Sequence, residues 1–260
     1  MSEIKVATLN LHGRYDRWLR RRQLIVSEIL NTQPDLLSLQ EIYRPIGQAR
    51  WLRNQVNVRL SGSPSRPYRL LQRPLRHFAW RWFESIGILT SLPVISVDDV
   101  NLGYGGRVAL RANVELPSRE TLDFVAVHLH HVASHREARV EQVMQLSGWL
   151  QSHNPVPFQV VAGDFNEVPS GPAITLMKQS YRSALAEIRG YDPLATYPTA
   201  LVERPDGWSG CLDYIFISKA LPTVVDAKVF CKKAAADEPT LYPSDHVGLL
   251  ATLDPDRAVS

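Results

Sequence analysis

Apolar and polar positions along the chain alternate between stretches of strand period and stretches of helix period. Residues 3–10 (EIKVATLN) form a mostly apolar run that stops at a polar residue, the pattern of a buried strand. In residues 17–31 the apolar Trp18, Leu19, Ile25, Ile29 and Leu30 fall at near-helical spacing among Arg and Gln, and Asp16 stands where a cap belongs. Pro34 closes that helix, and 35–40 (DLLSLQ) reads as a short strand. Residues 44–83 carry several prolines and predict one short helix near 46–58, then loops. Strands are predicted at 85–90 (SIGILT) and 93–97, and a hairpin from 106–115 with 121–129. Residues 134–152 make the clearest helix, with Ser134 as cap and Val140, Val143, Met144, Leu146 and Leu150 as its apolar stripe. A fully apolar strand at 158–163 (FQVVAG), a short helix from Pro172, and strands at 212–217, 224–231 and 247–253 complete the pattern. Strands interspersed with helices predict an α/β fold of two packed sheets covered by helices, in one domain over residues 1–260.

Composition removes several classes of protein. The 260 residues are 45% hydrophobic and 21% charged, so the chain has the apolar content that a disordered chain lacks. It has no apolar run of the roughly 18 residues needed to cross a membrane and no secretory h-region near Met1. These features predict a cytoplasmic protein in which Cys211 and Cys231 stay thiols, with no obligate protein partner.

The net charge of +3 is unevenly spread. Between Arg44 and Phe83 there are nine arginines and no acidic residue, interleaved with Trp51, Tyr68, Phe78, Trp80, Trp82 and Phe83. Arg14, Arg17, Arg20, Arg21 and Arg22 form a second cluster. Guanidinium forks match phosphate oxygens, and arginines among aromatic rings suit single-stranded nucleic acid. The same composition also serves solvated faces and internal ion pairs, so it favours an anionic substrate without naming one.

Chemistry-bearing residues recur at strand ends. Asn10 ends the first predicted strand, Glu41 follows the second, His128 closes FVAVH, Asp164 and Asn166 follow QVVAG, Asp213 opens a strand, and Asp245 and His246 precede the last one. Singly each has an ordinary reading as a turn cap, a surface carboxylate or a structural histidine; it is the set that points to a site held on a rigid scaffold. Glu41, Asp245 and the Asn10 amide are hard oxygen donors suited to Mg²⁺ or Mn²⁺. Asp164 is then available as a base for water, with Asn166 holding that water or a phosphate oxygen. An Asp213–His246 pair would keep the imidazole protonated to meet phosphate charge.

TLN at 8–10, QE at 40–41, HL at 128–129, GDFN at 163–166, LDYIF at 212–216 and SDH at 244–246 occur in this order. Together they resemble the endonuclease/exonuclease/phosphatase superfamily, of DNase I-like fold, from Thr8 to about Leu253. The resemblance implies a four-layer α/β/β/α sandwich, a divalent metal (Mg²⁺ or Mn²⁺) and phosphoester hydrolysis. It implies metal-binding roles for Asn10, Glu41 and Asp245 and catalytic roles for Asp164, Asn166, Asp213, His246 and His128. His130 and His131 stand beside His128 as alternatives. Tyr104, Arg107 and Arg139 are candidate substrate-binding residues, Arg139 and Gln142 resembling the family's Arg-x-x-Gln pair. Abasic-site endonucleases are similar in GDFN and SDH, yet this chain has His12 where they carry an acidic residue, and only a displaced Trp208 before LDYIF. YPT at 197–199 looks more like compact bacterial hydrolases and tyrosyl-DNA phosphodiesterases. The expected activity is a phosphodiesterase acting on nucleic acid. A phosphomonoesterase, a phospholipid phosphodiesterase and an inactive binding module are the alternatives.

Overall fold

The computed structural model describes residues 3–62, 66–76, 83–153, 158–203, 209–219 and 223–255. Phe78, Trp80, Trp82 and Trp208, named above, lie outside them, as does Arg81, one of the nine arginines.

Two right-sized crossover units set the architecture. Strand β1 (Ile4–Asn10) leads through helix α1 (Trp18–Thr32) to β2 (Leu36–Tyr43), and β1 pairs with β2 in parallel. Strand β7 (Thr121–His128) leads through α3 (Arg136–Gln151) to β8 (Phe158–Asp164), again in parallel. Parallel neighbours need a long connection, and a helix laid over the sheet supplies it. The remaining strands are β3 (Arg69–Pro74), β4 (Glu84–Thr90), β5 (Val94–Asn101), β6 (Val108–Glu115), β9 (Tyr181–Ser183), β10 (Asp213–Ser218), β11 (Thr223–Phe230) and β12 (Gly248–Asp254). Helix α2 (Gln48–Leu60) follows β2, and α4 (Pro172–Ser180) and α5 (Ala184–Arg189) flank β9. Among the described residues the strands form two six-stranded sheets, ordered β11-β12-β1-β2-β4-β3 and β5-β6-β7-β8-β10-β9.

Strand period explains the layers. Val6 and Leu36 face inward to meet Phe124, Val160 and Ile215 of the other sheet. Their neighbours Ala7 and Leu37 turn outward to Ile25 and Ile29 of α1 and Leu52 and Val56 of α2. Val125, Val161 and Phe216 likewise turn outward to Val143 and Leu146 of α3 and Ile174 and Met177 of α4. Both faces of the central strands are therefore buried, which is why these runs are apolar throughout rather than alternating. Each fully buried Val, Leu, Ile or Phe contributes about 1.5–3 kcal/mol. Gly163 keeps β7 and β8 in register: a Cβ there would sit 2.0 Å from the Val127 carbonyl oxygen.

Several expectations need correction. Asp16 does not cap α1; Arg17 holds the cap position in left-handed backbone, and Asp16 pairs with His12 at 2.5 Å instead. His135, not Ser134, precedes α3. Leu19 and Met144, read as core, are 68% and 61% exposed. The buried positions they were assigned to belong to Arg21 and to Arg139 with Gln142. Strands β3 and β9 and helix α5 were not predicted; both strands pair on one side only, at sheet edges.

The arginine–aromatic stretch also reads differently in three dimensions. Trp51 packs edge-on against Trp18 at 6.4 Å with Arg22 over its ring, and Tyr68 is buried, donating to the Pro34 carbonyl at 2.7 Å. Arg73 and Arg76 both pair with Asp99. Much of the described part of this stretch is thus spent on the fold's own packing.

Candidate active site

One end of the sandwich gathers the polar strand ends. Parallel β1, β2, β7 and β8 finish there, while antiparallel β10 starts there, Asp213 lying opposite Asp164 and His128 beside it. Groups outside the carboxyl ends of parallel strands are where α/β folds hold ligands. The Asn10 amide bridges the two sheets: Nδ2 donates to Asp164 Oδ2 at 3.0 Å and to Glu41 Oε1 at 3.2 Å. Its Oδ1 accepts the His12 backbone N–H at 2.9 Å, which settles the amide's orientation. Asn10 therefore presents hydrogens, not oxygen, to the carboxylates. The contacts place the Asn10 amide to orient Glu41 and Asp164 beside the candidate metal position.

Glu41 reaches the site through an irregularity. β2 and β4 slip register between Leu39 and Ile42, and Glu41 in that bulge takes φ 52°. Bulges re-aim side chains in this way. His12 and Asn166 also adopt left-handed backbone, with φ 55° and 48°. Three such residues cost about 1–2 kcal/mol each, which the burial around them covers. Gln48 ties the loops together, accepting from Tyr43 N at 2.7 Å and donating to the Gly13 carbonyl at 2.6 Å.

Asp164 is 1% exposed and fixed on both oxygens, Oδ1 accepting the Asn166 N–H at 2.8 Å and Oδ2 the Asn10 amide. His246 Nδ1 lies 2.8 Å from Asp213 Oδ2, and its Nε2 faces Asp164 Oδ2 at 3.9 Å. Burial alone would lower the His246 pKa, but the charges of Asp213 and Asp245 outweigh it and hold His246 well above the ordinary imidazole range, as the imidazolium. Thr196 steadies the pair by receiving the N–H groups of Leu212 and Asp213 at 2.9 and 3.1 Å. Asp245 Oδ2 is held by His12 Nδ1 at 2.8 Å and its Oδ1 by the Ser244 hydroxyl at 3.1 Å. Burial pushes the Asp245 carboxyl up, yet the His246 charge and the His12 contact together bring it below the usual range.

His128 sits across from these groups, its Nε2 3.6 Å from Asp164 Oδ2 and 4.0 Å from Glu41 Oε1. Arg107 Nη1 lies 2.8 Å from His128 Nδ1 and donates to Glu84 Oε1 at 3.0 Å. Glu41, Asp164, Asn166, Asp245 and His246 line one cavity of about 230 Å³, with His12, Tyr15, His131 and Tyr197. An adjoining cavity of about 310 Å³ shares Tyr15, Glu41 and His131 with it and adds Arg107 and Glu84. Glu84 was missed in the sequence although it opens a strand as Asp213 does.

A model of the endonuclease/exonuclease/phosphatase family matches residues 7–246, a span that takes in every residue of this cluster. The chain belongs to the endonuclease/exonuclease/phosphatase family. Solved structures with this fold include the human Nocturnin catalytic domain with a bound sulfate anion, 20% identical, TM-score 0.77, with 97% of this chain and 93% of that one covered. A functionally unknown conserved protein from Enterococcus faecalis V583 is 18% identical, TM-score 0.76, covering 97% of this chain and 100% of that one. Truncated TDP2 from Caenorhabditis elegans is 18% identical, TM-score 0.72, covering 96% and 97%. At such identities the likeness is one of fold. No curated protein sequence matches.

The endonuclease/exonuclease/phosphatase family is generally divalent-metal-dependent, and the donors here fit a hard cation. Burial and the charge of Glu84 raise the Glu41 carboxyl, a crowding of negative groups that a cation relieves. His128 Nε2, buried beside Glu41 and Asp164, has no hydrogen-bond partner. Glu41 and Asp245 would hold such an ion. The tight cluster of Asp164, Asp213 and His246, with facing atoms within 4.8 Å, is by contrast held together by the His246–Asp213 hydrogen bond.

Two predicted substrate residues fall elsewhere. Arg139 is 0% exposed; Nε donates to Glu167 Oε2 at 3.0 Å, Nη1 to the Val132 carbonyl at 2.7 Å and Nη2 to the Ala133 carbonyl at 3.0 Å. It braces the loop after β7 instead of facing the cleft. Tyr104 Oη pairs with His135 Nδ1 at 3.2 Å and its ring meets His130 edge-on, outside the residues lining either cavity. Arg21, grouped above with the arginines suited to an anionic substrate, is buried and donates to the carbonyls of Leu11, Tyr15, Asp16 and Pro243. Burial lowers its guanidinium to about 10, still charged at neutral pH. Its signal was its place on the apolar stripe between Trp18 and Ile25. Arg139→Met leaves the buried Glu167 with only the long 4.0 Å contact to Arg136, which costs about 3–5 kcal/mol and lowers the melting temperature by on the order of 10 °C. A thermal melt within about 2 °C of wild type would contradict this account of Arg139.

Proposed function

We propose that the chain is a phosphodiesterase, dependent on Mg²⁺ or Mn²⁺, that cuts nucleic acid by in-line attack of water, its residues 1–260 working as one catalytic domain in the cytoplasm. The observation that carries this reading is the meeting of Asp164, Glu41, Asp245 and His246 around one cavity, with Asp213 behind His246. Asp164, with both oxygens fixed, takes the proton from the attacking water. Asn166 positions that water; one amide hydrogen is committed to the Leu129 carbonyl at 3.1 Å, which keeps the side chain still. His246, charged and backed by Asp213, meets the phosphate oxygens as charge builds on them. His128, held by Arg107, ends the strand next to that of Asp164 and brings its Nε2 to 3.6 Å from Asp164 Oδ2. Glu41 and Asp245 would hold the cation, which would supply polarisation of the phosphoryl oxygen and screening of the leaving oxygen.

A diester rather than a monoester is favoured by the second cavity, which continues from the first past Glu41 and leaves room for a substituent on the phosphate. Both buried cysteines remain free thiols. Purified protein with Mg²⁺ is expected to shorten single-stranded oligonucleotides while leaving phosphomonoesters and phospholipid vesicles at least about tenfold less affected. Hydrolysis of vesicles or monoesters alone would defeat the nucleic-acid assignment.

A further inference from the structure

The second cavity has a composition that the phosphate chemistry does not need. Tyr15, Tyr43 and Phe83 line it, above Glu41, Glu84, Arg107 and His131. The Tyr43 and Phe83 rings stand 6.2 Å apart and 33° from parallel. Tyr15 is 61% exposed, a large ring left at the rim in water. The Arg14 guanidinium lies 5.0 Å from the centre of the Tyr43 ring, which holds that ring's orientation and adds positive charge at the mouth.

The occupant must suit aromatic walls and a polar floor at once. An acyl chain gains from the walls but would strip water from the Arg107–Glu84 ion pair, the His131 imidazole and the Glu41 carboxylate and give no polar contact in return, which is costly. A flat heterocycle gains from both: its faces lie against the rings, and its polar edge lies against the Arg107–Glu84–His131 group in place of water. The volume of about 310 Å³ is at the small end for ligand cavities, enough for one ring system and not for a helix or duplex. Tyr15, Glu41 and His131 line both cavities, so a ring held in the second adjoins the site of the reacting phosphate.

We infer that the Tyr15–Tyr43–Phe83 alcove is a nucleobase subsite that takes the base of the nucleotide next to the scissile phosphate. The inference rests on the nucleic-acid reading above and narrows it: the enzyme grips its strand by one stacked base rather than by a long arginine track. Free nucleotides and strand nucleotides share this chemistry, and separate measurements distinguish them.

Calorimetric titration of the wild-type protein with AMP, UMP and ribose 5-phosphate tests the subsite directly. AMP is expected to bind at least about tenfold tighter than ribose 5-phosphate, with UMP between, the increment usual for one base stacked on aromatic rings. Tyr15→Ala, at an exposed position, and Tyr43→Leu are expected to bring AMP down toward the ribose 5-phosphate value, the loss in at least one being required. Equal binding of AMP and ribose 5-phosphate by wild type, or an AMP preference intact in both variants, would overturn the subsite. Oligonucleotide cleavage is followed in parallel. Strand cleavage without any ring preference removes the alcove and leaves the phosphodiesterase standing; ring preference without strand cleavage keeps the alcove and removes the nucleic-acid reading.

Discussion

Replacing Asp164 with alanine is expected to lower kcat on a diester by about three orders of magnitude, within the range supplied by a positioned general base. The carboxylate ends β8 with Oδ1 on the Asn166 N–H and Oδ2 on Asn10 Nδ2, and it faces the imidazole nitrogens of His246 and His128 at 3.9 and 3.6 Å. Among the described residues no other carboxylate lies so close to both histidines. The fold should survive: alanine strands one backbone N–H and one amide hydrogen, a cost of about 1–3 kcal/mol for each buried donor. Part of that is recovered, because the site also loses one of several crowded negative charges. Asp164→Asn separates shape from charge, since it can still accept the Asn166 N–H while lacking a base. Initial rates with a melting curve for each variant decide the matter. A kcat within tenfold of wild type for both would remove Asp164 from the chemistry.

Chelation is the second large effect. With EDTA, activity is expected to fall below about 1% and to return with excess Mg²⁺ or Mn²⁺, since neither the in-line geometry nor the leaving oxygen is then supported. The structural ground is the Glu41 carboxyl, raised by burial and by the charge of Glu84, with Asp245 on the same cavity. A cation that binds only the folded protein also stabilises it, by about 2.7 kcal/mol at a hundredfold excess over Kd. The melting temperature should therefore rise with Mg²⁺ even when no substrate is present. Undiminished turnover in EDTA together with a metal-independent melt would refute the metal site and leave the remaining residues needing another mechanism.

Legibility of the fold followed burial. Central strands such as FQVVAG and TLDFVAVH were readable because both their faces are covered, so most of their residues are apolar. Edge strand β3 was not, because Arg69–Pro74 is half-buried, flanked by prolines and paired only with β4. Helix caps failed for a related reason: Asp16 has the right chemistry for a cap, but His12, brought beside it by a left-handed turn, competes for its carboxylate. Arg21 and Arg139 broke the apolar stripes because a buried guanidinium surrounded by backbone carbonyls is stable where an isolated charge is not.

The amino-acid order by itself determined the two crossover units, the layers, and which polar residues close which strands. These depend on period and on local backbone geometry, which a run of side chains carries with it. Tertiary packing alone decided that the Asn10 amide shows hydrogens to Asp164, that Glu84 and Arg107 lock His128, and that Tyr15, Tyr43 and Phe83 share an alcove. Those outcomes rest on contacts between segments far apart in the chain, where an ångström of displacement or a flipped amide changes the chemistry and no local pattern records it.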